Sequence, residues 1–263
     1  MSDLILCEER DHIATLTLNR PEKHNAMSPD MLLTMRDHFE RLQAEGTARV
    51  LIIRGQGTRA FTSGYDIGHL PERQGDQRLT QRDGPNPFTE MLAALRQCSA
   101  PVIAMIHGFC MGGGLELAAT CDLRLAADTG VFCMPPARLG VLYSGDGLLR
   151  FINLIGIAHT SEIFFTACKF DAQRAREIGL VNHVLPASEL EQFTADMAGQ
   201  IAQNAPLSVK YTKHILNLVQ SFQDFSGHED TMGRWRELCM NSDDFQEGRR
   251  AFLDKRQPVF QGQ

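Results

Sequence analysis

At 263 residues, with 43% hydrophobic and 22% charged, the chain is long enough for one sizeable core and has the make-up of an ordinary globular protein. A formal net charge of −6 argues against nucleic acid as a partner. No run of 18 apolar residues predicts a membrane span, and the charged opening MSDLILCEERDH predicts no signal peptide. Seven cysteines without a CxxC pair and nine histidines without an HxxxH pair predict reduced, mostly buried thiols, a cytoplasmic protein and no metal site.

Residues 3–20 predict a β-hairpin. Leu4-Ile5-Leu6 and Ile13 to Leu18 are apolar or alternating, and Glu8 to His12 turn between them. Ser28-Pro29-Asp30 predicts a helix start, with a capping hydroxyl, a proline in the first turn and an acid behind it. Leu32, Leu33, Met35 and Phe39 carry that helix to about Ala44. Residues 49–54 form a short apolar strand, broken by Gly55 and Gly57, and Phe61 to Ile67 then turn into a short helix. Residues 71–87 (PERQGDQRLTQRDGPNP) read either as a mobile loop at a pocket mouth or as a plain surface loop. A helix over 88–98 precedes the apolar strand Val102 to Ile106. His107-Gly108 and Gly112 to Gly114 follow, and Leu115 to Ala119 is helical, with Glu116 one residue inside its start. Leu123 to Ala127 and Val131 to Met134 are strands. From about Gly147 the pattern is helical, at 147–156, 158–166, 172–178, 188–203, 207–220, 229–239 and 243–255, interrupted by the strand-like Val181 to Leu185. The alternation predicts an α/β fold with a mostly parallel sheet and no independent second domain.

Two stretches carry chemistry. In each, a strand leads through glycines towards a helix: Val50 to Ile67, and Val102 to Ala119. A helix N-terminus has unpaired backbone N–H groups and a partial positive charge, and glycine lets a ligand oxygen come close. Two such turns could supply two N–H donors to one carbonyl oxygen, as acyl-transfer and enolate chemistry requires. The alternative is a pair of tight turns that glycines merely permit.

The chain resembles the crotonase, or enoyl-CoA hydratase/isomerase, superfamily. The resemblance is carried, in order, by Asn19-Arg20-Pro21 with Asn25-Ala26, Ala60 to Ile67, His107-Gly108 with Gly112 to Ala118 and Cys121-Asp122, Ala175 to Val184, and Ala251 to Arg256. It implies a spiral of ββα turns over residues 1–200, holding the acyl-CoA site, and a helical trimerisation region over 201–263. It further implies a homotrimer or dimer of trimers and no separate cofactor, coenzyme A being part of the substrate.

By the same resemblance, the backbone N–H groups of Tyr65 and Gly113 form an oxyanion hole for the thioester carbonyl, and Glu116 matches a catalytic glutamate. Hydratases of the family carry a second glutamate directly after a proline, where this chain has Pro136. Proline can act as neither acid nor base. Tyr143 follows, and this segment with the tail resembles the methylmalonyl-CoA decarboxylase branch, in which a tyrosine positions the substrate carboxylate. Two departures stand: that branch has histidine where Tyr65 is, and Ser144 to Gly147 is not its sequence. Asp146 reads either as an extra base or as a turn residue between glycines. Coenzyme A is expected across Lys23, His24, Ser63 and Tyr65, with Lys255 on the tail helix as a further phosphate contact. The readings left open are a decarboxylase, a hydratase or isomerase using Glu116, and a non-catalytic acyl-CoA binder.

Overall fold

The computed structural model describes residues 3–66, 68, 86–139, 141, 143–221 and 229–263. Its frame is a six-stranded sheet in the order β1-β2-β3-β5-β7-β10. These strands are β1 (Ile5–Arg10), β2 (Ile13–Leu18), β3 (Val50–Gly55), β5 (Val102–Ile106), β7 (Leu123–Ala127) and β10 (His183–Leu185). β1 and β2 form the expected hairpin, with the turn tightened to Asp11 and His12, both left-handed. All other neighbours in this sheet run parallel. A second sheet joins β4 (Ala60–Thr62), β6 (Phe109–Met111), β8 (Val131–Cys133) and β9 (Phe170–Asp171).

The central strands are buried on both faces, as parallel strands require. In β5, Val102, Ala104 and Ile106 enter one core cluster, and Ile103 and Met105 enter another. The first cluster is packed by α1 (Pro29–Glu45), α2 (Pro87–Gln97), α3 (Gly113–Thr120) and α4 (Gly145–Thr166). The second lies under α6 (Leu190–Ala202). Ser28 caps α1 as expected, accepting from the Met31 N–H at 3.4 Å. The remaining helices are α5 (Ala172–Glu177), α7 (Pro206–Ser221), α8 (Glu229–Met240) and α9 (Asp243–Asp254).

Five expectations need correction. Residues 60–62 are strand and Tyr65 makes a bridge to Met27, so no helix occupies the described part of 61–67. The glycine turn after β5 contains the strand β6, too short and too closely flanked by Gly108 and Gly112 to stand out. Glu116 closes the first turn of α3, which opens at Gly113. Helices expected at 147–156 and 158–166 are one element, α4, with non-helical dihedrals at Gly156. α4 is also long and apolar enough to cross a bilayer by length and composition, where none was expected. One face of it packs on the core through Phe151, Ile155, Ile163 and Phe164, while Ile157 and Phe165 are exposed. The segment 71–85 lies outside the described residues.

Candidate active site

The site forms where the second sheet meets the N-terminus of α3. Asn25, buried and left-handed at φ +55°, organises one side. Its amide donates to Ala60 O at 2.8 Å, and its side-chain oxygen accepts from the Arg20 N–H at 3.0 Å. Thr62 continues the network: its hydroxyl donates to Asn25 O at 2.7 Å and accepts from the Gly64 N–H at 3.0 Å. Arg20 pairs with Asp66 at 2.6 Å. These bonds lock the turn 62–66 before any ligand arrives.

The backbone then aims Tyr65. Met27 N–H donates to Gly64 O at 2.8 Å, and Asp66 N–H donates to Met27 O at 2.9 Å. In an extended pair the residue between those two directs its own N–H to the opposite side. Gly113 lies on that side: a Cβ added to Gly113 would stand 3.4 Å from Tyr65 N, and one added to Gly64 would stand 3.1 Å from Gly113 N. Gly113 is the first residue of α3, and its N-cap, Gly112, has no side chain to satisfy the first N–H groups. The two expected oxyanion donors are therefore brought together by a bridged strand and a helix start.

Glu116, 7% exposed, stands one turn along α3. Burial raises its carboxyl above the ordinary range, opposed by the charge of Arg150 and by a hydrogen bond from Tyr143. Tyr143 is half-buried, packs edge-on against Phe164 at 5.2 Å, and has its phenol pushed up by burial and by the Glu116 charge. The structure thus joins Glu116 and Tyr143, separated by 26 residues of chain. Gly147 makes the approach possible, because a Cβ there would lie 3.1 Å from both Glu116 Oε1 and the Tyr143 ring. Pro136 is buried in a short 3-10 turn, Pro136–Leu139. Asp146 is exposed in the first turn of α4 and is not among the groups that act on Glu116.

Lys23, His24 and Ser63 also come together. Ser63 N–H donates to His24 O at 2.9 Å and its hydroxyl donates to Lys23 O at 3.4 Å, and all three side chains are exposed. A cavity of about 420 Å³ beside them is lined by His24, Asn25, Thr58 and Arg59. Lys255 stands apart, in a left-handed position after α9, and the chain beyond it is bonded to Arg49 just before β3, at the other end of that strand. Thr62 and Arg150 were not singled out by the sequence. Only Thr62, inside the glycine-turn motif, had a local signal.

The fold and the paired turns, which bring the Tyr65 and Gly113 N–H groups close together, define an enzyme of the crotonase class. The sequence pattern of the enoyl-CoA hydratase/isomerase family matches residues 8–263, and the chain belongs to that family. It is 32% identical over 251 residues to the methylmalonyl-CoA decarboxylase of Escherichia coli, covering 95% of each chain. It is 32% identical over 259 residues to the crotonyl-CoA hydratase of Syntrophomonas wolfei, covering 97% of each. The crystal structure of an enoyl-CoA hydratase/carnithine racemase from Magnetospirillum magneticum superimposes with a TM-score of 0.89 at 32% identity, covering 100% of this chain and 97% of that one.

Proposed function

We propose that this enzyme decarboxylates an acyl-CoA of malonyl or methylmalonyl type. The observation that carries the reading is the partner of Glu116: a phenol, Tyr143, with Pro136 where hydratases of the family place a second carboxylate. Two-carboxylate addition of water lacks one of its groups. Decarboxylation needs less. The thioester oxygen is held by the Tyr65 and Gly113 N–H groups, the bond from Cα to the carboxylate breaks, and its electron pair enters the enolate. Cα then takes a proton, for which Glu116, whose carboxyl burial raises, is the acid at hand. Each preorganised donor of this kind contributes about 3 kcal/mol to such a barrier.

A second reading, a hydratase or isomerase with Glu116 as acid and base, is favoured by that same raised carboxyl and by the crotonyl-CoA hydratase relative. Mass spectrometry on malonyl-, methylmalonyl- and crotonyl-CoA and a 3-enoyl-CoA separates the two. Loss of CO₂, cut at least about 10-fold by Tyr143→Phe and by Glu116→Gln, is the expected result. Water addition or double-bond migration without CO₂ loss would replace the first reading by the second.

Coenzyme A is placed, in this reading, along Lys23, His24, Ser63 and Tyr65, with Lys255 serving a neighbouring subunit. A trimer or dimer of trimers is part of the same proposal, supported by the exposed apolar side chains Ile157, Phe165, Leu216 and Leu238. Light scattering should return three or six chain masses, and a monomer would overturn the assembly.

A further inference from the structure

Behind Glu116, on the side away from the glycine turns, α3 and α4 are tied by a chain of hydrogen bonds. Arg150, on α4, donates from Nη1 to Thr120 Oγ1 at 2.7 Å. Thr120, the last residue of α3, in turn donates to the main-chain oxygen of Glu116 at 2.8 Å. Arg150 Nε is buried and has no hydrogen-bond partner among the described residues. A buried donor left unpaired is costly, and an apolar side chain could fill this place without that cost. The favourable surroundings of the guanidinium are carboxylates: Glu116 across the helix interface and Asp146 one turn back on α4. Arg96, on α2, opposes it. Among the described residues, Tyr143 and Arg150 are the titratable groups that act on Glu116 from the elements packed on it.

We propose that Arg150 is a positioning residue of the active site: tethered to Thr120, its guanidinium governs the protonation of Glu116 from behind, without contact to the substrate. The geometry gives Glu116 two opposed influences. The apolar surroundings favour the neutral acid, and the fixed cation favours the carboxylate, so that the group is poised to hold and release a proton rather than locked in either form. A carboxyl buried without such a cation would hold its proton more tightly and deliver it less readily to the enolate. The inference rests on the reading of Glu116 as proton carrier.

The test is the pH dependence of turnover, on whichever thioester of the panel is consumed, in wild type, Arg150→Met, Arg150→Lys and Glu116→Gln. The limb that disappears in Glu116→Gln belongs to Glu116. Removing the positive charge should move that limb upward by about one pH unit, a roughly tenfold change in the ionised fraction at fixed pH. Arg150→Lys should recover most of the shift. A merely structural arginine predicts lower kcat with the limb unmoved, and that result would overturn the proposal. If Arg150→Met does not fold, Thr120→Val cuts the tether and leaves the charge, and the limb should rise by a smaller step. An unmoved limb in that variant likewise overturns the proposal. A wild-type profile in Glu116→Gln would instead remove the proton-carrier reading itself.

Discussion

Gly64 and Gly46 make the same backbone demand for different reasons. Both have positive φ, +94° and +65°, which a side chain tolerates poorly. A Cβ at Gly46 meets nothing within 4 Å, whereas one at Gly64 would stand 2.6 Å from Met111 O and 3.1 Å from Gly113 N. Gly46→Ala should therefore cost about 1 kcal/mol of stability through backbone strain and leave activity intact. Gly64→Ala must in addition push apart the two turns that carry the Tyr65 and Gly113 N–H groups, the oxyanion donors of the proposed function. Its kcat/KM should fall by about 100-fold, the effect of losing one such donor. Denaturant melts and steady-state kinetics on the two variants check the contrast, and equal activity losses would break it.

At the scale of elements, α7 is pinned to the sheet by one ion pair. Lys213 Nζ, with its side chain only 7% exposed, lies 2.8 Å from Asp122 Oδ2 and donates to Ala100 O at 2.8 Å. The same carboxylate accepts from the Val102 N–H at 2.7 Å, so helix and strand share an anchor at the start of β5. Lys213→Met leaves that carboxylate without its cation. The expected loss is about 2 kcal/mol, at the low end for a broken buried pair because Asp122 keeps some access to water and one N–H partner. A shift in the urea midpoint at unchanged slope measures it.

For the whole molecule, the C-terminal tail closes the structure across the sheet. Asp244, 3% exposed, accepts from the N–H groups of Gln261 and Gly262 at 2.6 and 2.8 Å. Arg49, just before β3, donates to Phe260 O at 3.1 Å. Glu247 accepts from both Arg256 and the Val259 N–H, and these bonds lower its carboxyl from 4.5 to about 2. The folded value lies below the unfolded one, so this clamp stabilises fully above pH 4.5 and is lost as pH falls towards about 2. Hydrogen exchange of residues 256–263 should therefore speed up between pH 4.5 and 2 beyond the intrinsic rate, and Glu247→Gln should remove that extra step.

The sequence by itself determined the elements whose cause is local. The cap of α1 at Ser28, the doubly buried strands β3 and β5 and the two glycine turns follow from residue type and spacing. Tyr65, Gly113 and Glu116 became candidates through the family resemblance, whose motifs are contiguous. The strands β6 and β9, of three and two residues, left no periodicity to read and exist only because a neighbouring strand pairs with them. The partnership of Glu116 with Tyr143, the retreat of Asp146 to the surface and the seat of Arg150 behind Thr120 were decided by how α4 docks on α3. The side on which a helical residue lands depends on that packing, which no local pattern encodes. Local sequence thus marked the two glycine turns, and tertiary packing alone chose which groups face Glu116.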